Sequence, residues 1–377
     1  MKPLHRFCLP FVVVAILLTV EVGVPAHETF APLLTENTVA FFHVDFSKVD
    51  VDLLKTEAKK LGETLLTTLG FDDRSRQATL RDLELELEKW DVINRPILEL
   101  ITKELGVTEL AWIADETLFE QGIYFMVCAP WKGKTDADLQ KLFAVMPEQE
   151  YREAYLPIGD FLFVVFPIFP IMGTKDIPAE KQILTEWVKN AATDNSSPVL
   201  QALKNLNKSD EVKAVVRIPE FMKQVLQMAP FPPDMPIQVR NLLLFAGNNV
   251  EWIAASVPVM DILTGKEVNN WRMLTVKMPS EDDAKMLREM MVSAIDGGIP
   301  AIQLQLQSQA AHPSEVPPPL AFEFLKGYLR TLLPVVEGDK LIFQGSVAKM
   351  WLKLQTLDRS ALFLFLVRIP ALNDMNQ

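Results

Sequence analysis

The chain has 377 residues, 49% of them hydrophobic and 23% charged. That is the composition of a folded protein, long enough for two domains and apolar enough to bury a sizeable core. With 37 Lys+Arg against 49 Asp+Glu the formal charge is −12, which excludes the basic footprint a phosphate backbone demands, so nucleic acid is not an expected partner. Two Cys exclude a disulfide framework, and four scattered His call for no metal and no cofactor.

Lys2 and Arg6 precede an uncharged apolar run over residues 7–20, closed by Glu21, and Val24-Pro25-Ala26 sets small residues at cleavage spacing. Such a run, as a helix, reaches only about 21 Å against a hydrocarbon core of about 30 Å. The pattern predicts a secretory signal peptide over residues 1–26, cleaved near Ala26, and an exported product, periplasmic or extracellular. The plain alternative keeps residues 7–20 as an anchor, the one way this chain would meet a membrane. Cys8 lies at the start of the apolar stretch, not after it, which argues against lipidation. Cleavage leaves Cys128 alone, set after Tyr124-Phe125-Met126-Val127, where a buried, inert thiol is expected.

Residues 38–46 alternate as a strand, with Phe42, Val44 and Phe46 on one face and Phe41, His43 and Asp45 on the other. Ser47 or Asp50 caps a helix predicted to about residue 69. In residues 72–90 the segment Leu83-Glu84-Leu85-Glu86-Leu87-Glu88 alternates with period two, yet Leu and Glu favour helix and no β-branched residue is present, so a helix is predicted. Pro96 suits the first turn of a further helix ending before Gly106. Residues 109–114 and 122–129 read as strands joined by an acidic loop. Thr135 with Asp138 resembles a capping box opening a helix. Residues 151–156 and 161–166 form a predicted hairpin turning at Pro157-Ile158-Gly159-Asp160. An amphipathic helix over 179–192, a Thr-Asp-Asn-Ser-Ser-Pro stretch and a short helix then read as a boundary.

The second half re-uses this order. Residues 212–218 form a strand leading into a helix at Pro219. Leu242-Leu243-Leu244-Phe245-Ala246 and residues 252–257 echo the strand at 110–114 and its partner. Ser280 with Asp283 echoes Thr135 with Asp138, and Gly338-Asp339 before Lys340 echoes Gly159-Asp160 before Phe161. In this alignment residues 271–278 are an extra strand. The expected fold class is α+β, with two related lobes, each a mainly antiparallel sheet with helices on one face. Lobe one spans residues 27–172, a helical linker 173–210, and lobe two, the repeat, 211–377. The apolar stretches 161–166 and 362–367 are β-prone enough to require cover.

Catalytic motifs are missing from the sequence: there is no Gly-x-Ser-x-Gly, no Walker loop, no Gly-x-Gly-x-x-Gly, no His-Glu-x-x-His and no Cys-x-x-Cys. The one polar pair on an ordered element is His43-x-Asp45, whose side chains point the same way on a strand and could hold a metal or tune a general base. The plain reading is a hydrogen-bonded polar face of an edge strand, or contact with a covering helix. Asp115, Glu116 and Glu120 crowd one loop but lack calcium-loop spacing. Trp131, at a strand end beside Lys132-Gly133-Lys134, is the aromatic most expected to be exposed and hence a binding candidate.

Residues 35–45, Thr-Glu-Asn-Thr-Val-Ala-Phe-Phe-His-Val-Asp, resemble the opening that follows the signal peptide in uncharacterised exported bacterial proteins carrying domain-of-unknown-function labels. The resemblance covers the first strand and helix, and this chain has Leu-Thr where a Pro often leads. It implies export and an α+β fold, and it carries over no catalytic residues. The expected function is a non-enzymatic binding or scaffolding role in the cell envelope, toward an unknown protein or small ligand, with His43, Asp45 and Trp131 as candidate ligand-binding residues and no catalytic residue assigned. The alternative is an envelope hydrolase using scattered carboxylates, with His43 as base.

Overall fold

A computed structural model of the chain describes residues 26–47, parts of 50–63, 73–123, 126–145, 154–165, 177–191, 196–207, 210–228, 231–232, 235–263, 271–309 and 319–345. The expected leader over residues 7–20, much of the helix expected after Asp50, and the apolar stretch 362–367 lie outside the described residues. Among those described, no helix is long and apolar enough to cross a membrane. The fold class is α+β, with every registered strand pair antiparallel. The chain divides into two compact units, one of Met1–Ala58, Asp82–Arg217 and Ala254–Thr264, the other of Lys59–Arg81, Ile218–Ile253 and Gly265–Gln377.

In the first unit, β1 (Thr38–Asp45) is followed by α1 (Asp73–Glu99), whose residues from Asp82 belong here, then by β2 (Glu109–Asp115), α2 (Glu116–Phe119), β3 (Met126–Pro130) and α3 (Asp136–Val145). A hairpin of β4 (Tyr155–Ile158) and β5 (Phe161–Val165), then α4 (Ile177–Ala191), α5 (Pro198–Leu203) and β6 (Val212–Arg217) follow. The strand order is β4-β5-β3-β2-β1-β6. β1 is therefore a central strand paired on both sides, not the edge strand its polar face suggested. The registers align Phe163, Cys128, Ala111, His43 and Lys213 in one row across five strands.

Helices cover both faces of this sheet where one covered face was expected. On one side Leu100, Leu105, Val107 and Leu142 pack with Ala129, Trp131 and Leu162. On the other, Trp187 of α4 meets Phe163 edge-on, ring centroids 6.4 Å apart, and Phe30 lies 6.0 Å from Phe161 and 6.1 Å from Phe41. A strand covered on both sides must bury both of its alternating sets, which is why His43 and Asp45 are buried along with Val44.

The helix over Leu83 to Glu88 is present, inside α1. Pro96 does not open a new helix: it sits inside α1, which passes into a π turn over Leu100–Glu104. The hairpin turn is Gly159-Asp160, with Gly159 at φ 60°. Cys128 is buried, and burial pushes its thiol up, as expected of an inert core thiol.

In the second unit, α6 (Glu220–Met228) and α7 (Ile237–Asn249) precede β7 (Trp252–Val257), of which Trp252 and Ile253 belong here. The rest of β7 and α8 (Val259–Leu263) belong to the first unit. The second unit resumes with β8 (Trp271–Lys277), α9 (Glu281–Ser293), a π turn over Ala294–Gly298, α10 (Ile299–Gln309), α11 (Pro319–Thr331), β9 (Val335–Glu337) and β10 (Lys340–Gly345). The expected strand at Leu242 to Ala246 is a turn of α7 instead. Leu242, Phe245 and Ala246 recur at helical spacing and all three pack on the core, and that periodicity outweighs the β-like apolar run.

With that strand removed, the correspondence between halves becomes closer, and β8 is no longer an extra strand. The hairpin β4–β5 lies against β3, and the hairpin β9–β10 lies against β8. The backbone N–H just after each inner strand donates to the turn aspartate: Trp131 to the Asp160 carbonyl at 2.7 Å and Met278 to the Asp339 carbonyl at 2.9 Å. Thr135 and Asp138 are hydrogen-bonded ahead of α3, and Ser280 and Asp283 are so ahead of α9. Val107, Ala129, Trp131, Leu142 and Leu162 follow one another around these landmarks in one core in the same order as Val250, Val276, Met278, Leu287 and Leu341 in the other.

Both turn glycines adopt left-handed φ, 60° at Gly159 and 58° at Gly338, and a Cβ at either would meet nothing within 4 Å. Alanine at either site therefore carries only a backbone penalty. Gly159→Ala and Gly338→Ala should each lower unfolding free energy in urea by about 1–2 kcal/mol, with no change in the spectrum of the native state.

Candidate functional site

His43 is the best-placed of the residues marked in the sequence. Its imidazole, 1% exposed, stacks parallel to Phe41 with centroids 6.2 Å apart and meets the ring of Phe30 at 5.8 Å and 62°. Nε2 lies 3.2 Å from Glu109 Oε2, while the buried Nδ1 has no partner among the described residues. A proton on Nε2 lets the ring donate to Glu109 and leaves Nδ1 as a buried acceptor without a hydrogen bond among the described residues. Burial is the main influence on His43 and holds its pKa below the ordinary imidazole range. The Glu109 hydrogen bond and charge oppose this, and Lys213 assists it.

The strand registers assemble this group. Asp45 pairs with Glu109, and His43 pairs with Ala111 on one side and Lys213 on the other. His43, Asp45, Glu109 and Lys213 thus share one sheet face and all are buried. Asp45 Oδ1 accepts the Ser47 N–H at 2.8 Å. Next to β6, Asp210 is 2% exposed. Its Oδ2 accepts from the Ser256 hydroxyl at 2.5 Å and its Oδ1 from Asn207 Nδ2 at 2.7 Å. Burial raises the Asp210 carboxyl above the usual range, against the Ser256 hydrogen bond and the Lys213 charge. Glu211 Oε2 caps α8 by accepting the Val259 N–H at 2.8 Å. Glu109, Asp210, Lys213 and Ser256 carried no signal in the sequence as isolated letters. The register of β1 with β2 and β6 brings Glu109 and Lys213 to His43, and the Ser256 hydroxyl of β7 meets Asp210 just ahead of β6.

The other sequence candidates fall elsewhere. Trp131 is 5% exposed and belongs to the core against Leu105 and Leu142, so the expectation of an exposed aromatic is corrected. Its backbone bond to the Asp160 carbonyl draws the strand end inward, while Lys132 beside it stays at the surface. Of the acidic group at the end of β2, Asp115 and Glu116 are committed internally, while Glu120 is exposed. Asp115 is fully buried: Oδ2 accepts from Thr35 at 2.6 Å and Thr38 at 3.3 Å, and Oδ1 accepts from the Thr117 N–H at 3.1 Å and its hydroxyl at 2.6 Å. Glu116 pairs with Arg217 at 2.7 Å. Among the described residues no group of three or more His, Cys, Asp or Glu is arranged to hold a metal.

Several concavities are built within single units. In the first unit a polar recess of about 540 Å³ is lined by Thr35, Asn37, Thr117, Gln121, Glu186 and Trp187 among others. In the second unit an apolar cavity of about 400 Å³ lies between α7, α9, α11 and β10. Comparisons of the chain with protein families, with characterised proteins and with solved structures give no match.

Replacing His43 strands its partner. His43→Leu leaves the Glu109 carboxylate buried without its hydrogen bond, and unfolding free energy should fall by about 1–3 kcal/mol. The pH dependence has a definite sign. Because the folded His43 value is depressed, the unfolded chain takes up its proton first as pH falls. The stability His43 contributes is full above about 6.5, the ordinary imidazole value, and is lost as pH falls through the folded value. Asp210 acts in the opposite sense, its contribution fading as pH rises through its raised folded value. Urea titrations from pH 8 to pH 5 should therefore show a steeper loss in the wild type than in His43→Gln, the difference isolating the imidazole.

Proposed function

We propose that this chain is an exported, non-enzymatic binding protein of the cell envelope, built by duplication of one α+β unit. One observation carries the non-enzymatic reading: His43, Glu109, Lys213, Asp210 and Ser256, the groups with reactive chemistry, are all buried and engaged with protein partners. A general base has to reach the proton it removes. An imidazole stacked on Phe41 and edge-on to Phe30 faces side chains and not a substrate. The same groups serve folding well, because charges that neutralise one another fix the register of three strands. Binding surfaces are available elsewhere, in the recess and the apolar cavity.

Duplication is supported by the matching hairpins, the paired caps and the five core residues in the same order. Export rests on the sequence of residues 1–26 and on the resemblance over residues 35–45. If the reading is right, the protein recovered from the periplasm or medium begins at His27, which mass spectrometry of the N-terminal peptide will reveal. Full-length protein retained in membranes would instead support an anchor. Ester, phosphate, peptide and glycoside substrates should give no turnover with the purified protein. Turnover that disappears in His43→Gln would overturn this assignment in favour of a hydrolase.

A further inference from the structure

The second unit holds a cavity whose lining is hydrocarbon almost throughout. Val239 and Leu242 of α7, Met291 of α9, Ile302 of α10, Leu329 of α11 and Phe343 of β10 contribute to it. Its volume of about 400 Å³ lies within the range that binds small molecules. A polar ligand entering would surrender hydrogen bonds to water with nothing to replace them, so the lining selects an apolar one. The backbones approach closely there: a Cβ on Gly298 would stand 3.1 Å from Val239 Cγ2, so glycine lets α7 lie against the π turn.

Leu333 and Pro334 line this cavity and also a second recess of about 450 Å³, lined by Lys285, Arg288, Arg330 and one carboxylate, Glu289. The cations are not equally engaged. Lys285 pairs with Glu281 at 2.7 Å, and Arg330 pairs with Asp296 at 2.6 Å. Arg288 donates from Nε to the Pro334 carbonyl at 3.0 Å and has no carboxylate partner among the described residues. A guanidinium is thus tied by its Nε at the shared lip of an apolar cavity, with its outer nitrogens uncommitted to a carboxylate.

We propose that the second unit binds a long-chain fatty acid, its tail in the apolar cavity and its carboxylate at Arg288. This rests on the binding-protein reading and names its ligand class. The two parts of the site match the two parts of such a molecule. Burial of the chain supplies affinity, and a charge-assisted hydrogen bond to a fork-shaped donor orients the head.

The test is displacement of cis-parinaric acid, followed by its fluorescence, from the full chain. Wild type should take up the probe. Palmitate should displace it about tenfold more effectively than methyl palmitate, the difference expected for one charged hydrogen bond. Arg288→Gln should erase that preference by weakening palmitate alone, and Arg288→Lys, which keeps the charge, should restore much of it. Thermal melting of each variant establishes that it is folded, and the acid-against-ester comparison on wild type stands without them. No uptake of the probe, or equal displacement by acid and ester, overturns the proposal. Neither of those results touches the non-enzymatic assignment, which turnover decides.

Discussion

The first unit depends on one electrostatic constraint. Asp45 and Glu109 stand directly opposite each other across β1 and β2, a placement that repels when both are charged. Both are buried, so water cannot screen them. The sheet accommodates the pair by setting Lys213 and His43 alongside: the lysine opposite the imidazole on β6, and the imidazole in hydrogen-bond reach of Glu109. A slip of one residue in either pairing would turn these groups to the other face. It would leave buried carboxylates without donors and a buried ammonium without acceptors. Register is thereby specified by charge as well as by hydrophobic pattern, at the cost of desolvating four ionisable groups.

The flanking aromatic rings complete the arrangement. Phe30, Phe41, Phe161 and Phe163 lie on the same side of the sheet as His43 and lower the local dielectric. That raises the value of every correct polar contact and the penalty of every missing one. The Asp115 knot extends the same logic to the N-terminal segment, since its carboxylate takes the hydroxyls of both Thr35 and Thr38. The second unit is organised differently. Its core group Val250, Val276, Met278, Ala284, Leu287 and Leu341 is wholly apolar, and its ion pairs, such as Lys277 with Asp339 at 2.5 Å, lie at half-buried or exposed positions. Among the described residues the buried charged groups thus belong to the first unit.

Much of the architecture is legible in the letters. Alternation marks β1, β2 and β6, turn glycines mark both hairpins, and Ser or Thr with Asp three residues on marks both helix starts. Local propensity settles Leu83 to Glu88 as helix despite its period of two. It does not settle Leu242 to Ala246, because Leu243 and Leu244 fill the gap in the helical spacing of Leu242, Phe245 and Ala246 and mask it in the letters. Trp131 misleads because neighbouring lysines and glycine suggest surface, whereas the decisive contact is a backbone bond to Asp160, distant in sequence. His43 and Asp45 are visible as a pair, but their surroundings are not. Glu109, Asp210 and Lys213 lie far along the chain, and their meeting is a property of strand order, which no local pattern encodes. The apolar cavity is hidden for the same reason, being a gap between elements distant in sequence.

The π turn between α9 and α10 has a consequence for how that cavity can evolve. A widened turn accommodates one more residue than a regular one, so Ala294, Gly298 and Ile302 stack on the same side of an otherwise continuous rod. Loss of a single residue within this turn would tighten it to ordinary α geometry and swing everything beyond by about 100°. The helical content would barely change, yet Ile299 and Ile302 would be carried off the cavity wall. Insertions and deletions here therefore act as a rotary adjustment of the lining, a coarser lever on cavity shape than exchanging one side chain for another.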